Sequence, residues 1–300
     1  MAVSIAAPAT LDADVRAQVR ALATAVQTRD GEPPLSDQAL AGMSAADVSH
    51  LLAYDGDTLV GYAQLDGRSA EIVGDTESIS ALLDVSESSG SHARVWSHGR
   101  RSPLGAILAA RGYDRRRELH QLRRALDQPL PDASVADGVT VRAFEPGRDE
   151  QAWLQVNAAA FADHAEQGRW TRADLEAREA EAWFDPAGFL VAERAGRMIG
   201  FHWTKIHTDG SGEVYVLGVD PSAQGLHLGT ALLVRGLDHL ARRGCARVLL
   251  YVDGDNAPAL RLYERIGFTS YDVDTQWEPR QRPDTPQFSC VSSRSQPTDM

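Results

Sequence analysis

The segment Val214–Val234 (VYVLGVDPSAQGLHLGTALLV) joins an apolar run, an Asp-Pro stop, a short Gly-containing loop and an apolar pattern of helical period. Read locally, a buried strand ends at Asp220-Pro221 and a helix begins near Leu228. Such a junction aims several backbone N–H groups outward at a helix N-terminus, where the dipole also favours an anion, phosphate above all. Gly-Lys-Ser/Thr is missing, so this is not a Walker loop, and without GxGxxG it is not the dinucleotide fingerprint either. A plain structural turn would look the same, and the loop alone leaves both readings open. Other reactive side chains narrow the chemistry. Cys245 follows a helix end rather than a base or a helix N-terminus, which argues against a catalytic thiol. His202 and His207 fall on opposite faces of one strand by parity and point to no metal site. Of the 30 basic residues 29 are arginine, and Lys205 is the only lysine.

These residues need elements to hold them. Leu51–Leu65 reads as strand, tight turn at Asp55-Gly56, strand, and Phe189–Ile206 reads the same way with its turn at Ala195-Gly196. Arg148–Phe161 is expected as a helix with Trp153, Val156 and Ala160 on one face. Thr171 can N-cap another helix, with Asp174 completing a capping box. The expected order continues through a strand at Glu213–Val219 and a helix at Leu228–Arg243, closed by Gly244. Strand Arg247–Val252, helix Ala257–Arg265 and strand Thr269–Trp277 follow.

The two halves repeat. Val60-Gly61 and Ile199-Gly200 open the second strand of each hairpin, and Val95–Tyr113 parallels Tyr251–Phe268 as strand, Pro-containing loop, helix and Gly-aromatic close. Matches at several places in one order imply two tandem copies of one α/β unit. Pro, Asp, Ser and Gly collect between Asp127 and Gly138 as a linker. The expected organisation is therefore a degenerate first domain at 1–127, a linker at 128–138, a catalytic domain at 139–278 and a disordered tail at 279–300. Gly61 to Gly112 spans 51 residues, whereas Gly200 to Gly267 spans 67. The difference falls at Val219–Thr230, where the first copy has only Glu71–Asp84, so a ligand held by that loop should bind the second copy.

The order strand, phosphate-type loop, helix, strand, Asn-initiated helix, Gly-Phe, strand resembles the GNAT N-acetyltransferase superfamily. The family's acetyl-CoA pyrophosphate motif, Gln/Arg-x-x-Gly-x-Gly/Ala, is matched by Gln224-Gly225-Leu226-His227-Leu228-Gly229, followed by Thr230. His227 departs from the pattern by standing where the first Gly is usual. The loop binds through its N–H groups, so a non-glycine residue fits there with a negative φ, and Gly225 supplies flexibility. Asn256-Ala257-Pro258-Ala259-Leu260-Arg261 and the helix through Gly267-Phe268 resemble the second cofactor segment. The resemblance implies that Asn256 bonds the pantetheine arm, that Leu217, Gly218 and Val219 offer N–H groups to pantetheine and thioester, and that Tyr263 is general acid for the leaving thiolate. It also implies that Glu213 takes a proton from the attacking amine. Tyr263 as a core residue, and Glu213 as a strand-end carboxylate, are the plain alternatives. The fold class implied is α/β, with two tandem GNAT-like domains, each a mixed, mostly antiparallel sheet flanked by helices.

A narrower resemblance rests on Asn157, Phe161, His164, Glu166-Gln167-Gly168 and Thr171, on Asp30–Asp37, on Phe201–Ile206 and on Gly212–Pro221, and covers roughly residues 20–277. It is to an actinobacterial branch of the family with two tandem domains, which acetylates the cysteinyl amine of a glucosamine–inositol conjugate. Carried over, it implies substrate contacts from Glu166, Lys205, Glu213 and Tyr251. Asp37 occupies the place of a substrate-binding Glu from the first domain, one methylene shorter. An α-amine beside an amide has a reference pKa near ~8, so much of it is already neutral at pH 7. Acetyl-CoA is the implied co-substrate, one per chain, with no metal. Another small-amine or peptide acetyltransferase of the same fold stays open, as does a non-catalytic acyl-CoA-sensing module.

Composition bounds the rest. The chain has 300 residues, 43% of them hydrophobic, and 42 acidic against 30 basic side chains give a formal charge of −12. That balance opposes nucleic acid or an anionic membrane as partner. Two cysteines without CxxC spacing, no basic leader and no long apolar run fit a cytoplasmic protein. A monomer acting on a small molecule is expected.

Overall fold

The computed structural model describes residues 3–67, 69–89, 93–164, 167–223 and 225–280. Gln224, Glu166 and most of the expected tail lie outside the described residues. The first copy runs β1 (Ser4–Ala6), α1 (Ala13–Asp30), α2 (Asp37–Gly42), β2 (Ser49–Asp55), β3 (Thr58–Leu65), β4 (Ser69–Gly74), α3 (Thr76–Ser88), β5 (Arg94–Ser97), α4 (Pro103–Ala110) and β6 (Tyr113–Ala125). The second repeats it element for element: β7 (Val139–Ala143), α5 (Glu150–Ala160), α6 (Arg172–Glu179), β8 (Phe189–Arg194), β9 (Arg197–Ile206), β10 (Gly212–Val219), α7 (Leu228–Arg242), β11 (Arg247–Asp253), α8 (Ala257–Arg265) and β12 (Thr269–Pro279). The expected tandem α/β repeat is present, and β12 carries regular structure to Pro279, two residues beyond the expected Trp277.

Two compact units form, but they do not divide at the linker. Of the described residues, the first takes those up to Ser97, Arg101–Arg116 and Gln276–Arg280; the second takes those in His98–Arg100 and Arg117–Thr275. In the first unit β1, β2, β3 and β4 are neighbours in order, antiparallel throughout, with β5 parallel to β4. Helices cover both faces. Val19, Ala23 and Val26 of α1 pack over Leu52, Tyr62 and Val73, while Ile79, Leu82 and Leu83 of α3 pack over Ala53, Ala63 and Ile72.

In the second unit the order is β7-β8-β9-β10-β11-β6-β12. The last strand of the first copy thus lies beside β11, antiparallel from Arg247↔Ala125 to Asp253↔Leu119, and β12 lies beyond it. On one face Leu233, Leu237 and Leu240 of α7, Tyr263 of α8 and Ile266 just after it cover Val248, Leu250 and Val252. On the other, Trp153 of α5 is fully buried against Phe189, Phe201 and Trp203, which meet it edge-on or tilted at 5.2–6.0 Å. The expected capping box is formed, with Thr171 Oγ1 accepting from Asp174 N and the Asp174 carboxylate from Thr171 N.

Candidate active site

The site starts from a break in the sheet. β10 and β11 are the parallel pair of the second unit, but they match only at Gly212↔Val248 and Glu213↔Leu249, at their N-terminal ends. From Val214 onward β10 keeps its antiparallel ladder to β9, through a bulge at Val214/Val216, and runs on to Val219↔Gly200 without a partner in β11. The two strands therefore splay, and the edge holding Leu217, Gly218 and Val219 is open to main-chain bonding. Gly218 is required there: a Cβ would lie 2.7 Å from the Phe201 ring and 3.2 Å from that of Phe161.

Above the splay, the chain from Asp220 to His227 turns into α7. Gly225 has φ +85° and His227 φ +51°. The expected negative φ at His227 is thus incorrect. The backbone takes the left-handed form the family glycine would take, and His227 adopts it at some cost in strain, being among the residue types that tolerate it best. His227 is the N-cap of α7 and its side chain makes no capping bond. Among the described residues nothing caps the N–H groups of Leu228, Gly229 and Thr230, so the helix end presents uncompensated donors.

The wall opposite is α8. Asn256 caps it, its Oδ1 accepting from Ala259 N at 3.2 Å, which leaves the amide Nδ2 as a donor for a ligand. Asn256, Ala257 and Pro258 are exposed, and Leu260 is partly buried, with Arg261 exposed beside it. Tyr263 points from α8 into the apolar cluster of Leu250, Ile266 and Phe268 and is 8% exposed. Burial pushes its phenol up to about 12. The hydroxyl therefore stays protonated at neutral pH, the state a proton donor needs.

Glu213 stands where the parallel pairing ends. It is buried, and its Oε2 meets Nε2 of His207 at 2.8 Å. Lys205 is its direct partner across the β9–β10 ladder, so Lys205, His207 and Glu213 share one face. The Lys205 ammonium lies 5.1 Å from the Trp183 ring and 5.7 Å from that of Tyr215, whose hydroxyl accepts from Arg178 at 3.1 Å. Along the same face of β11, two residues beyond Leu249, Tyr251 is 43% exposed, and its hydroxyl accepts from Gln121 of β6 at 2.8 Å. Arg123 donates to Gln121 Oε1 at 2.8 Å.

Of the residues expected from sequence, the structure brings Lys205, Glu213 and Tyr251 to this face. It brings Leu217–Val219, Gly225–Thr230 and Asn256–Arg261 to the splay and its helix ends. Glu166 and Gln224 fall outside the described residues; Gln167 is held by two side chains. Asn157 Nδ2 donates to Gln167 O at 2.6 Å, and His164 Nδ1 accepts from Gln167 N at 3.0 Å. Asp37 is the first residue of α2 in the first unit and is exposed. Its neighbour Ser36 is tied to β4, with Glu71 accepting from Ser36 N and Oγ, both at 2.7 Å.

Four residues at the site are not reached by sequence reasoning: His207, Gln121, Trp183 and Tyr215. Parity is the signal that marks His207, which is two residues from Lys205 and so shares its face. Gln121 carries no usable signal, because it lies in the first copy.

A parallel strand pair that opens into a V, with an uncapped helix end above it and a carboxylate at its base, defines a GNAT-type acyltransferase domain. The Acetyltransferase (GNAT) family matches residues 155–268. A mycothiol acetyltransferase of Thermomonospora curvata is 53% identical over 87% of this chain and 92% of its own, and one of Streptomyces coelicolor is 46% identical over 86% and 90%. A GCN5-related N-acetyltransferase structure from Sphaerobacter thermophilus shares the fold, with a TM-score of 0.71 at 24% identity over 93% of this chain and 96% of that one. A tandem GNAT protein of the clavulanic acid pathway does so with a TM-score of 0.68 at 16% identity, over 92% and 97%. The chain belongs to the mycothiol acetyltransferase family of N-acetyltransferases.

Proposed function

We propose that the second unit transfers the acetyl group of acetyl-CoA directly to the cysteinyl amine of a cysteine–glucosamine–inositol conjugate, giving mycothiol and CoA. The observation that carries this reading is the splay of β10 from β11 directly beyond Glu213. Main-chain donors for a thioester, at Leu217–Val219, then lie on the same strand as a buried carboxylate, four residues on.

The uncapped end of α7 would hold the pyrophosphate, with Gly225–Thr230 and Gln224 around it. Leu217–Val219 and Asn256 would hold the pantetheine arm, with Ala257–Arg261 along the same wall. As the amine attacks the thioester carbon, the C–N bond forms and Glu213 removes the amine proton. The C–S bond breaks, and Tyr263 gives its proton to the departing sulfur. Lys205 and Tyr251, with Glu166, would orient the hydroxyl-rich part of the substrate. The corresponding role for Asp37 rests on the sequence resemblance alone. The setting proposed is cytoplasmic, with the protein acting as a monomer. No described helix is long and apolar enough to cross a membrane.

Purified protein given acetyl-CoA and the conjugate should release CoA, with Glu213→Gln and Tyr263→Phe each lowering kcat by about 10²–10⁴-fold. No CoA release from wild type with this amine overturns the substrate assignment.

A further inference from the structure

We propose that His207 is the positioning residue of Glu213: its ring fixes the carboxylate so that one oxygen, Oε1, faces the attacking amine. This rests on the reading of Glu213 as the base.

Glu213 is buried, and a carboxylate there keeps its useful orientation only if something in the protein holds it. The contact that does so is Nε2 of His207 on Oε2 at 2.8 Å. With a proton on Nε2, the imidazole donates to Oε2 and Oε1 is left to take the amine proton. Among the described residues no other hydrogen bond reaches the Glu213 carboxylate.

The turn after β9 sets the ring. His207 N donates to Ser211 O at 2.9 Å, Gly210 N donates to His207 O at 2.9 Å, and Gly210 has φ +79°. Asp209 accepts from Ser211 N at 2.9 Å and Oγ at 2.6 Å and pairs with Arg247 at 2.8 Å, which fastens the turn to β11. The cross-strand partner Lys205 has its ammonium beside the Trp183 and Tyr215 rings. Orienting Glu213 therefore falls to His207. The side chain of His207 is 30% exposed against 10% for Glu213, so solvent reaches the pair from its histidine side.

The test is a double-mutant cycle in the full-length chain, measuring kcat, the KM of the amine and the calorimetric Kd of acetyl-CoA. His207→Ala should lower kcat by about 10²-fold, the scale on which misplacing a reacting group acts, with acetyl-CoA Kd unchanged. His207→Gln, which keeps a donor, should recover at least about tenfold of that loss. Glu213→Gln combined with His207→Ala should be no slower than Glu213→Gln alone, because a residue that acts through Glu213 has nothing left to position. Full kcat in His207→Ala, equal loss in His207→Gln and His207→Ala, or additive losses in the double variant would each overturn the proposal. A fully active Glu213→Gln would instead overturn the base assignment beneath it, so the two failures are distinct.

Discussion

Asp75 and His227 are the N-caps of equivalent helices, α3 in the first copy and α7 in the second, and only Asp75 fills its helix end with its own side chain. Asp75 Oδ1 accepts from Ser78 N at 2.8 Å, and Ser78 Oγ accepts from Asp75 N at 3.0 Å, a closed capping box. A single residue separates β4 from α3, against the run Asp220–His227 between β10 and α7. In the first copy a carboxylate stands where the dipole would favour a phosphate; in the second no described residue caps the donors.

One acetyl-CoA per chain is the expected stoichiometry. Calorimetric titration should give a single site, and Gly229→Glu, which puts a negative charge in the α7 N-terminal turn, should abolish it. A second site of comparable affinity would contradict this.

His227→Gly should stabilise the protein modestly. Relief of a left-handed non-glycine residue is worth about 1–2 kcal/mol, and the added freedom of glycine in the unfolded chain returns roughly 0.5–1 of that. Urea unfolding should therefore show a gain of about 0–1.5 kcal/mol, with acetyl-CoA Kd unchanged or tighter. A destabilised variant would mean that the ring makes contacts worth more than the strain.

Lys205→Arg should raise the amine KM by about tenfold and leave acetyl-CoA Kd alone. The ammonium is set beside Trp183 and Tyr215 as a compact cation, and a longer planar guanidinium cannot take the same place. An unchanged KM would remove Lys205 from the substrate site.

Local signals make much of this readable in the sequence. The helix Ala257–Arg265 is bounded by the Asn256 cap, Pro258 and Gly267, all of which act within one turn, and it forms over that span. The Thr171–Asp174 capping box and the Ala195-Gly196 turn are equally local. The neighbours of β6 are not. Nothing within Tyr113–Ala125 says that it pairs with β11, because strand order is settled by contacts far apart in sequence. Gln121 therefore has no local signal to mark it. The φ of His227 departs from expectation for a different reason: the loop's path over the splayed strands dictates it, whatever residue stands there.

His202 should make the second unit sensitive to acid. It is fully buried between β9 and α7, with Nδ1 donating to Leu232 O at 2.8 Å. Its Nε2 is buried with no hydrogen-bond partner among the described residues, and Gly236 of α7 leaves the ring its space. Protonation would place an unpaired cation on Nε2, so burial lowers the ring from 6.5 to about 4. The native state thus stays neutral where the unfolded chain already binds a proton. Stability from this group is complete above pH 6.5 and is lost as pH falls toward about 4, by about 3 kcal/mol in all. Urea unfolding of wild type and His202→Leu at pH 7 and pH 5 should show the wild type losing roughly 2 kcal/mol more over that interval. Equal losses in the two proteins would show that His202 does not titrate on unfolding, and Gly236→Ala, which would press a methyl into the ring, should still destabilise at both pH values.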